Sequence, residues 1–213
     1  MTDSQILPAT DTWVKATWED YLQQIEQPGY EKAKGYYLDG WMRIEMLPVG
    51  SDHAGDHTLV IFAVGLFTTL KGIAARGLDN CTYRKTGKQE CQPDVSYYLG
   101  KNARVIPSGT TVIDLDQYPP PDLVIEIAKN SIIDDRTVKR ELYESLGVAE
   151  YWVLDVENVR ILAYEMIERG SRRIDESQVL PRLKIETLEQ AIRQSREQDQ
   201  SQVGAWLMRQ FQA

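Results

Sequence analysis

The chain has 213 residues, of which 42% are hydrophobic and 26% are charged, a size that suits one well-buried core and is short for two. With 24 Lys and Arg against 32 Asp and Glu, the formal net charge is -8, which argues against a protein that coats nucleic acid by bulk charge but leaves a local basic groove open. Two cysteines are too few for a disulfide framework or a four-cysteine zinc site, and no stretch has the roughly 18 to 20 apolar residues of a membrane helix, so we expect a soluble protein of the reducing cytoplasm with no membrane partner.

The first predicted elements are a flexible tail over 1–12, a short helix and a hairpin. Apolar residues recur at helical spacing over 17–27, and Thr17 stands where a helix N-cap would, with Asp20 three residues later. Two apolar runs over 36–46 flank Asp39-Gly40, a dipeptide typical of tight hairpin turns. We therefore expect two antiparallel strands here.

The middle of the chain predicts a loop, a buried helix and several strands. A loop is expected over 48–53, and 57–72 is almost wholly apolar without proline, which is typical of a helix buried on most of its surface. Four apolar runs predict strands, the last two forming a hairpin: 95–99, 123–127, 151–154 and 159–166.

A helix is predicted between the second and third of these strands, over 134–146, with Gly147 at the position that favours a helix C-cap. A strand, a crossover helix and a strand in succession favour a parallel pair of strands. The end of the chain, 188–211, is mostly polar with helical spacing. The outcome is a mixed sheet with helices.

Three acidic residues stand at the start of strands or within them: Asp94, Asp122 and Glu126. Residues two apart in a strand face the same way, so Asp122 and Glu126 share a face but lie roughly 13 Å apart, too far to ligate one ion. Asp94, from another strand, is therefore the natural partner of Glu126. Two such carboxylates offer oxygen ligands to Mg²⁺, and such a site can hydrolyse a phosphodiester. An internal salt bridge of Glu126 is the alternative.

The predicted crossover helix presents Asp135, Lys139 and Tyr143 on one face, because they are four residues apart. The Lys139 ammonium could reach over Glu126, orient the attacking water and stabilise charge developing on phosphate. Tyr143 is a candidate supporting residue, and Asp135 is a candidate for orienting Lys139. A solvated or salt-bridged helix lysine and an exposed helix-start aspartate are the alternatives.

Three further residues carry two interpretations each. His53 could touch a phosphate or approach the metal site, or it could be an ordinary histidine at a helix entry. Glu45 could point into the same cleft as another acidic ligand, or be solvated at a strand edge. Asp122 is expected to fix the strand entrance or bind a basic side chain rather than a metal.

A local cluster of positive charge surrounds the strand that follows Asp94. It consists of Arg84, Lys85, Lys88 and Lys101, with tyrosines interleaved. A positive rim of this kind is what a DNA phosphate backbone requires. Hairpin solubility is the alternative.

These residues resemble known families of nucleases. Pro93-Asp94 followed by Glu126 is similar to the Pro-Asp…Glu-x-Lys signature of the restriction-endonuclease-like, PD-(D/E)XK, nuclease superfamily. More closely, 121–127, the step from Lys139 to Tyr143 and the segment 146–155 resemble the bacterial Uma-type endonuclease family. Further landmarks of that family fit at Asp39-Gly40, 48–53 and 177–181.

The resemblance implies an α/β (α+β) fold with a restriction-endonuclease-like mixed β-sheet flanked by helices and an N-terminal antiparallel hairpin. It implies such a domain over 13–190 and a C-terminal helical tail over 191–213. It also implies that Asp94, Glu126 and the Ile127 carbonyl bind Mg²⁺ or Mn²⁺, and that the activity is hydrolysis of DNA. Ala128 stands where the superfamily has its lysine, and Lys129 is one residue late, so Lys139 is the candidate for a migrated lysine.

Three hypotheses follow. The first is a metal-dependent DNA endonuclease. The second is a nucleic-acid or protein interaction module that keeps the fold without hydrolysis, which the negative charge and Ala128 favour. The third is a metal-dependent hydrolase of another phosphate ester. Because a duplex has two strands and symmetric dimers are the commonest oligomers, we also expect a homodimer.

Overall fold

A computed structural model describes residues 10–46, 50–129, 131–168 and 170–212. Most of the predicted tail over 1–12 lies outside these residues, as do Pro48 and Val49 of the predicted loop. Within the described chain, no helix combines the length and the apolar character needed to cross a membrane.

The N-terminal part of the described chain contributes all six strands of one sheet, two strands of the other and the longest helix. Its elements are β1 (Val14–Lys15), α1 (Trp18–Ile25), β2 (Lys34–Leu38), β3 (Trp41–Glu45), α2 (Ser51–Lys71), β4 (Ala75–Asp79), β5 (Thr82–Lys85), β6 (Gln89–Cys91), β7 (Val95–Leu99), a 3₁₀ turn (Gly100–Arg104) and β8 (Val112–Asp114).

The second half contributes the centre of the other sheet and four helices. Its elements are β9 (Leu123–Ala128), α3 (Ile132–Arg136), α4 (Val138–Leu146), β10 (Glu150–Asp155), β11 (Arg160–Ile167), β12 (Gly170–Ile174), α5 (Ile185–Ser195) and α6 (Gln200–Gln212).

The strands of the described residues form two mixed sheets of six strands each. The first has the order β1-β3-β2-β6-β5-β8 and the second β12-β11-β10-β9-β7-β4. The pairs β5·β8 and β9·β10 are parallel, and the other pairs are antiparallel. The predicted mixed α/β architecture, the N-terminal hairpin and the parallel pair around the crossover helices are therefore confirmed.

The N-terminal helix and hairpin form as local sequence rules predict. The Thr17 hydroxyl accepts from the Asp20 amide at 3.1 Å, and the Asp20 carboxylate accepts from the Thr17 amide at 3.2 Å, so α1 begins with a complete capping box. Leu38 pairs with Trp41 across Asp39-Gly40, and both turn residues have positive φ, as a two-residue hairpin turn requires.

Two helix predictions were wrong in their boundaries. Helix α2 begins at Ser51, so the loop predicted to reach residue 53 ends earlier. The first turns of α2 bury His53 and Asp56 rather than apolar side chains, so the apolar pattern that predicted the helix begins only after them. The predicted helix over 134–146 is divided at Thr137, whose hydroxyl donates to the Ile133 carbonyl at 2.7 Å.

The second sheet is buried on both faces. One face packs against α2, α5 and α6, and the other packs against the first sheet and α4. Strand β9 follows the predicted alternation: Leu123, Ile125 and Ile127 enter the first core, while Val124 and Ala128 enter the second. Glu126 therefore points between the two sheets.

The C-terminal helices pack on the main core. The predicted domain boundary at residue 190 lies within α5, and the described part of the predicted tail continues through α6. Its buried side chains in that core are Ala191, Ile192, Val203, Leu207 and Phe211.

Candidate active site

The register of β7 on β9 brings the two predicted acids together. Val95 pairs with Ile125 in an antiparallel ladder, so Asp94, one residue before β7, lies beside Glu126. Asp94 is 6% exposed and Glu126 is 2% exposed. Both line a cavity of about 720 Å³ whose wall includes residues of β2, β3 and α2.

Both oxygens of the Asp94 carboxylate are engaged. Oδ2 accepts from the Ile127 amide at 2.7 Å, and Oδ1 contacts the ammonium of Lys34. Burial by itself would raise the pKa of Asp94, but Lys34 and the Ile127 amide outweigh burial and lower it below its usual value. Asp94 is therefore a carboxylate at neutral pH.

Glu126 has one engaged oxygen and one that no described residue contacts through a hydrogen bond. Oε1 accepts from the Tyr143 hydroxyl at 2.6 Å and lies 3.2 Å from the Tyr36 hydroxyl. Burial raises the pKa of Glu126 to about 8, an effect that Lys139 only partly offsets. The carboxyl group is therefore mostly protonated at neutral pH while no cation is bound.

Lys139 lies on α4 and is 1% exposed. Its ammonium is 2.9 Å from both Glu45 Oε1 and Asp135 Oδ1, and 3.8 Å from Glu126 Oε1. Burial would lower the pKa of Lys139, but these three carboxyl groups raise it well above its usual value. Lys139 is thus a fixed positive charge and not a base.

Glu45, on β3, connects Lys139 to a buried arginine. The Arg43 guanidinium donates to Glu45 at 2.8 Å, to Asp134 at 3.0 Å and to the Asp11 carbonyl at 2.7 Å. Although burial would raise the pKa of Glu45, Lys139 and Arg43 lower it. The Glu45 carboxylate therefore holds Lys139 in place, as Asp135 does from α3.

Two histidines of α2, one turn apart, face the backbone and side chain of Asp94. His53 Nε2 is 3.9 Å from Asp94 Oδ2, and burial lowers the pKa of His53, which keeps it neutral at pH 7. His57 Nε2 is 3.1 Å from the Asp94 carbonyl oxygen and 3.2 Å from Asp79 Oδ1. His57 also lines the cavity.

Asp122 lies outside the cavity. Its carboxylate accepts from the Leu99 amide at 2.6 Å and from the Asn102 side chain at 2.8 Å, so it fixes the entrance of β9. This is the structural interpretation that the sequence favoured.

The predicted basic rim also lies outside the cavity. Lys101 follows β7 at the end opposite Asp94, and Lys85 and Lys88 flank the β5–β6 turn. Arg84 pairs with Glu90 and lies over the Trp18 ring. The basic residues that do line the cavity are Lys32, Lys34, Arg43, Lys129 and Lys139.

Sequence reasoning missed Lys34, Tyr36 and Arg43 as neighbours of the acids. Lys34 and Tyr36 are two apart on β2 and so share a face, but which face met β9 depends on how the two sheets pack. Lys129, one residue late for the superfamily lysine, follows the end of β9 at Ala128 and lines the same cavity.

The donor set suits a hard divalent cation. The Ala128 carbonyl accepts from the Val156 amide, on the β10 side, so the Ile127 amide and carbonyl point the opposite way, toward Asp94. Two carboxyl groups and one carbonyl are the oxygen ligands that Mg²⁺ accepts alongside water. Among the described residues, no three His, Cys, Asp or Glu side chains cluster as a fuller metal site.

The mixed sheet thus presents two adjacent acids under a helix lysine. A crystal structure described as a putative nuclease belonging to DUF820, from Anabaena variabilis, has a similar fold, with a TM-score of 0.57 and 15% sequence identity over 83% of this chain and 99% of that chain. Residues 18–200 match the family Uma2, described as "putative restriction endonuclease", and the chain belongs to that family. No curated protein matches the sequence.

Proposed function

We propose that the protein is a Mg²⁺- or Mn²⁺-dependent endonuclease that hydrolyses phosphodiester bonds of DNA. The observation that carries the proposal is the convergence on one cavity of Asp94 just before β7, Glu126 in β9 and Lys139 in α4. Membership of a family described as restriction endonucleases supports it.

In this proposal Asp94, Glu126 and the Ile127 carbonyl hold the cation. A bound Mg²⁺ or Mn²⁺ would lower the pKa of a water and offset charge on the scissile phosphate. Tyr143 fixes one oxygen of Glu126 and leaves the other toward the cavity. Glu126 must release its proton to become a ligand, because its pKa is about 8 without a cation.

Lys139 supplies a positive charge that does not titrate near neutral pH. Glu45 and Asp135 hold its ammonium beside Glu126, so its position is set before the substrate arrives. A fixed charge in a buried site stabilises the negative charge that develops on phosphate more strongly than it would in water. Lys32, Lys34 and Lys129 add positive charge on the cavity wall for neighbouring phosphates.

The test is a cleavage assay on supercoiled and linear DNA with Mg²⁺, Mn²⁺ or EDTA. We expect nicking that requires the cation and falls at least about a hundredfold in Asp94→Asn, Glu126→Gln and Lys139→Met. Glu165→Gln is the matched control, since the half-buried Glu165 of β11 pairs with the exposed Arg172 and lies outside the cavity. Cleavage that persists in EDTA or in all three site variants contradicts the proposal.

A non-catalytic interaction module is the second candidate. It is favoured by Ala128 at the position of the superfamily lysine and by the ammonium of Lys139, which is closer to Glu45 and Asp135 than to Glu126. This candidate predicts that DNA is retained in a gel shift with or without metal and is never cut. If DNA is neither cleaved nor retained, the result points to another phosphate ester or to a protein partner.

We also propose a homodimer, because one site cuts one strand and a double-strand cut requires two. Sedimentation velocity at micromolar concentration is the measurement. A species of twice the 24.4 kDa chain mass supports the proposal, and a monomer contradicts it.

A further inference from the structure

The ion pair between Lys34 and Asp94 joins two residues that are 60 positions apart in the chain. Lys34 begins β2 in the first sheet, and its side chain is 12% exposed and lines the cavity. Its ammonium contacts Asp94 Oδ1, while the Ile127 amide already holds Oδ2. Asp94 therefore has no oxygen without a partner.

A divalent cation and the Lys34 ammonium cannot both hold Asp94 Oδ1 without strong repulsion, because like charges a few ångströms apart repel in a poorly solvated site. The ammonium is the one able to move. It reaches the cavity from the end of a long flexible side chain, whereas Asp94 is fixed by a backbone amide. Lys139 cannot take over its role, since Glu45 and Asp135 hold that ammonium.

We propose that Lys34 is an internal counter-ion, which neutralises Asp94 in the metal-free protein and competes with the divalent cation for that carboxylate. This inference rests on the metal site of the proposed function. It makes Lys34 a positioning residue: Lys34 holds the Asp94 carboxylate in place, and it sets the cation concentration at which the site fills.

The experiment is a calorimetric titration of the full chain with Mn²⁺ alone, without DNA. Lys34→Met removes the competing charge, so we expect it to bind Mn²⁺ about tenfold more tightly than the wild type or better. Lys34→Arg keeps the charge and is expected to bind no more tightly than the wild type. Lys71→Met is the matched control, because the exposed Lys71 ends α2 outside the cavity and pairs with no described carboxylate, and the Mn²⁺ affinity of this variant should stay near the wild-type value.

Thermal unfolding provides a second readout, with Lys34→Gln as a variant that keeps a hydrogen-bond donor. The two neutral variants, Lys34→Met and Lys34→Gln, should unfold at a lower temperature than the wild type in EDTA. Saturating Mn²⁺ should raise their unfolding temperatures by more than it raises that of the wild type. Unchanged or weaker Mn²⁺ binding in both neutral variants overturns the inference.

The outcomes separate this inference from the nuclease proposal. Tighter Mn²⁺ binding in Lys34→Met, with no DNA cleavage by the wild type, supports the counter-ion and contradicts the nuclease. Cleavage by the wild type, with unchanged Mn²⁺ affinity in the neutral variants, supports the nuclease and contradicts the counter-ion. Failure of every protein to bind Mn²⁺ contradicts both.

Discussion

Glu126 is enclosed so completely that its environment opposes the charge a metal ligand needs. Burial raises its pKa from 4.5 to about 8. Between these values the folded protein keeps a proton that the unfolded chain releases. The group therefore contributes stability that is full below pH 4.5 and is lost as the pH rises through about 8.

Glu126→Gln should remove that pH dependence, because an amide does not titrate. We predict that the free energy of unfolding in EDTA falls less for the variant than for the wild type between roughly pH 5 and pH 9. Urea denaturation at several pH values measures this. If the free energy of unfolding depends on pH in the same way for both proteins, Glu126 is ionised in the folded state.

At the scale of single residues, the sequence located the acids better than it located their partners. Asp94 and Glu126 follow from strand alternation and the Pro-Asp step, because both signals are local. Lys34 and Tyr36 come from the other sheet, and Arg43 reaches Asp134 across 91 positions. Such contacts depend on how distant elements pack, and the spacing of residues along the chain carries no information about that packing.

At the scale of elements, the interior strands of the second sheet were predictable, whereas β5 and β6, inside the first sheet, and the edge strands β1, β4, β8 and β12 were not. β7, β9 and β10 are apolar on both faces and stand out as continuous runs. β8 has three residues and β12 is largely polar, so neither carries a clear period. The division between α3 and α4 was also missed, because no proline or glycine marks the point where the Thr137 backbone leaves the helical region, with φ of −121° and ψ of −91°.

Two glycines test whether the helix boundaries are correct. Gly147 ends α4 with φ of +80°, so Gly147→Ala should destabilise the protein by about 1 kcal/mol. Gly55 lies inside α2 with open space around its Cβ position, so Gly55→Ala should stabilise it by about 0.5 to 1 kcal/mol. Urea denaturation of both variants measures these changes. Stability changes of the same sign in both variants would contradict the assigned helix boundaries.

At the scale of the whole molecule, the C-terminal helices belong to the same core as the sheet that carries the acids. Leu207 on α6 is fully buried with Phe67 and Val64 of α2 in that core, and Asp56 of α2 is held by two 2.6 Å bonds from Arg196 after α5. Helix α2 also carries His53 and His57. The C-terminal segment thus braces the helix that lines the cavity.

Leu207→Ala should therefore destabilise the whole protein by about 2 to 5 kcal/mol in a single transition. The exposed neighbour Met208 is the matched control, and Met208→Ala should change stability by less than about 0.5 kcal/mol. Thermal and urea unfolding measure both variants. A separate early transition in Leu207→Ala would mean that the C-terminal helices fold as an independent unit.

The convergence of Asp94, Glu126 and the Ile127 carbonyl on one cation is the central claim, and Mn²⁺ seen by anomalous X-ray scattering in crystals of the protein tests it most directly. The account predicts one strong anomalous peak within coordination distance of these three groups, with the Lys34 ammonium displaced from Asp94. A peak elsewhere, or none at saturating Mn²⁺ with Lys34 still paired to Asp94, would contradict it.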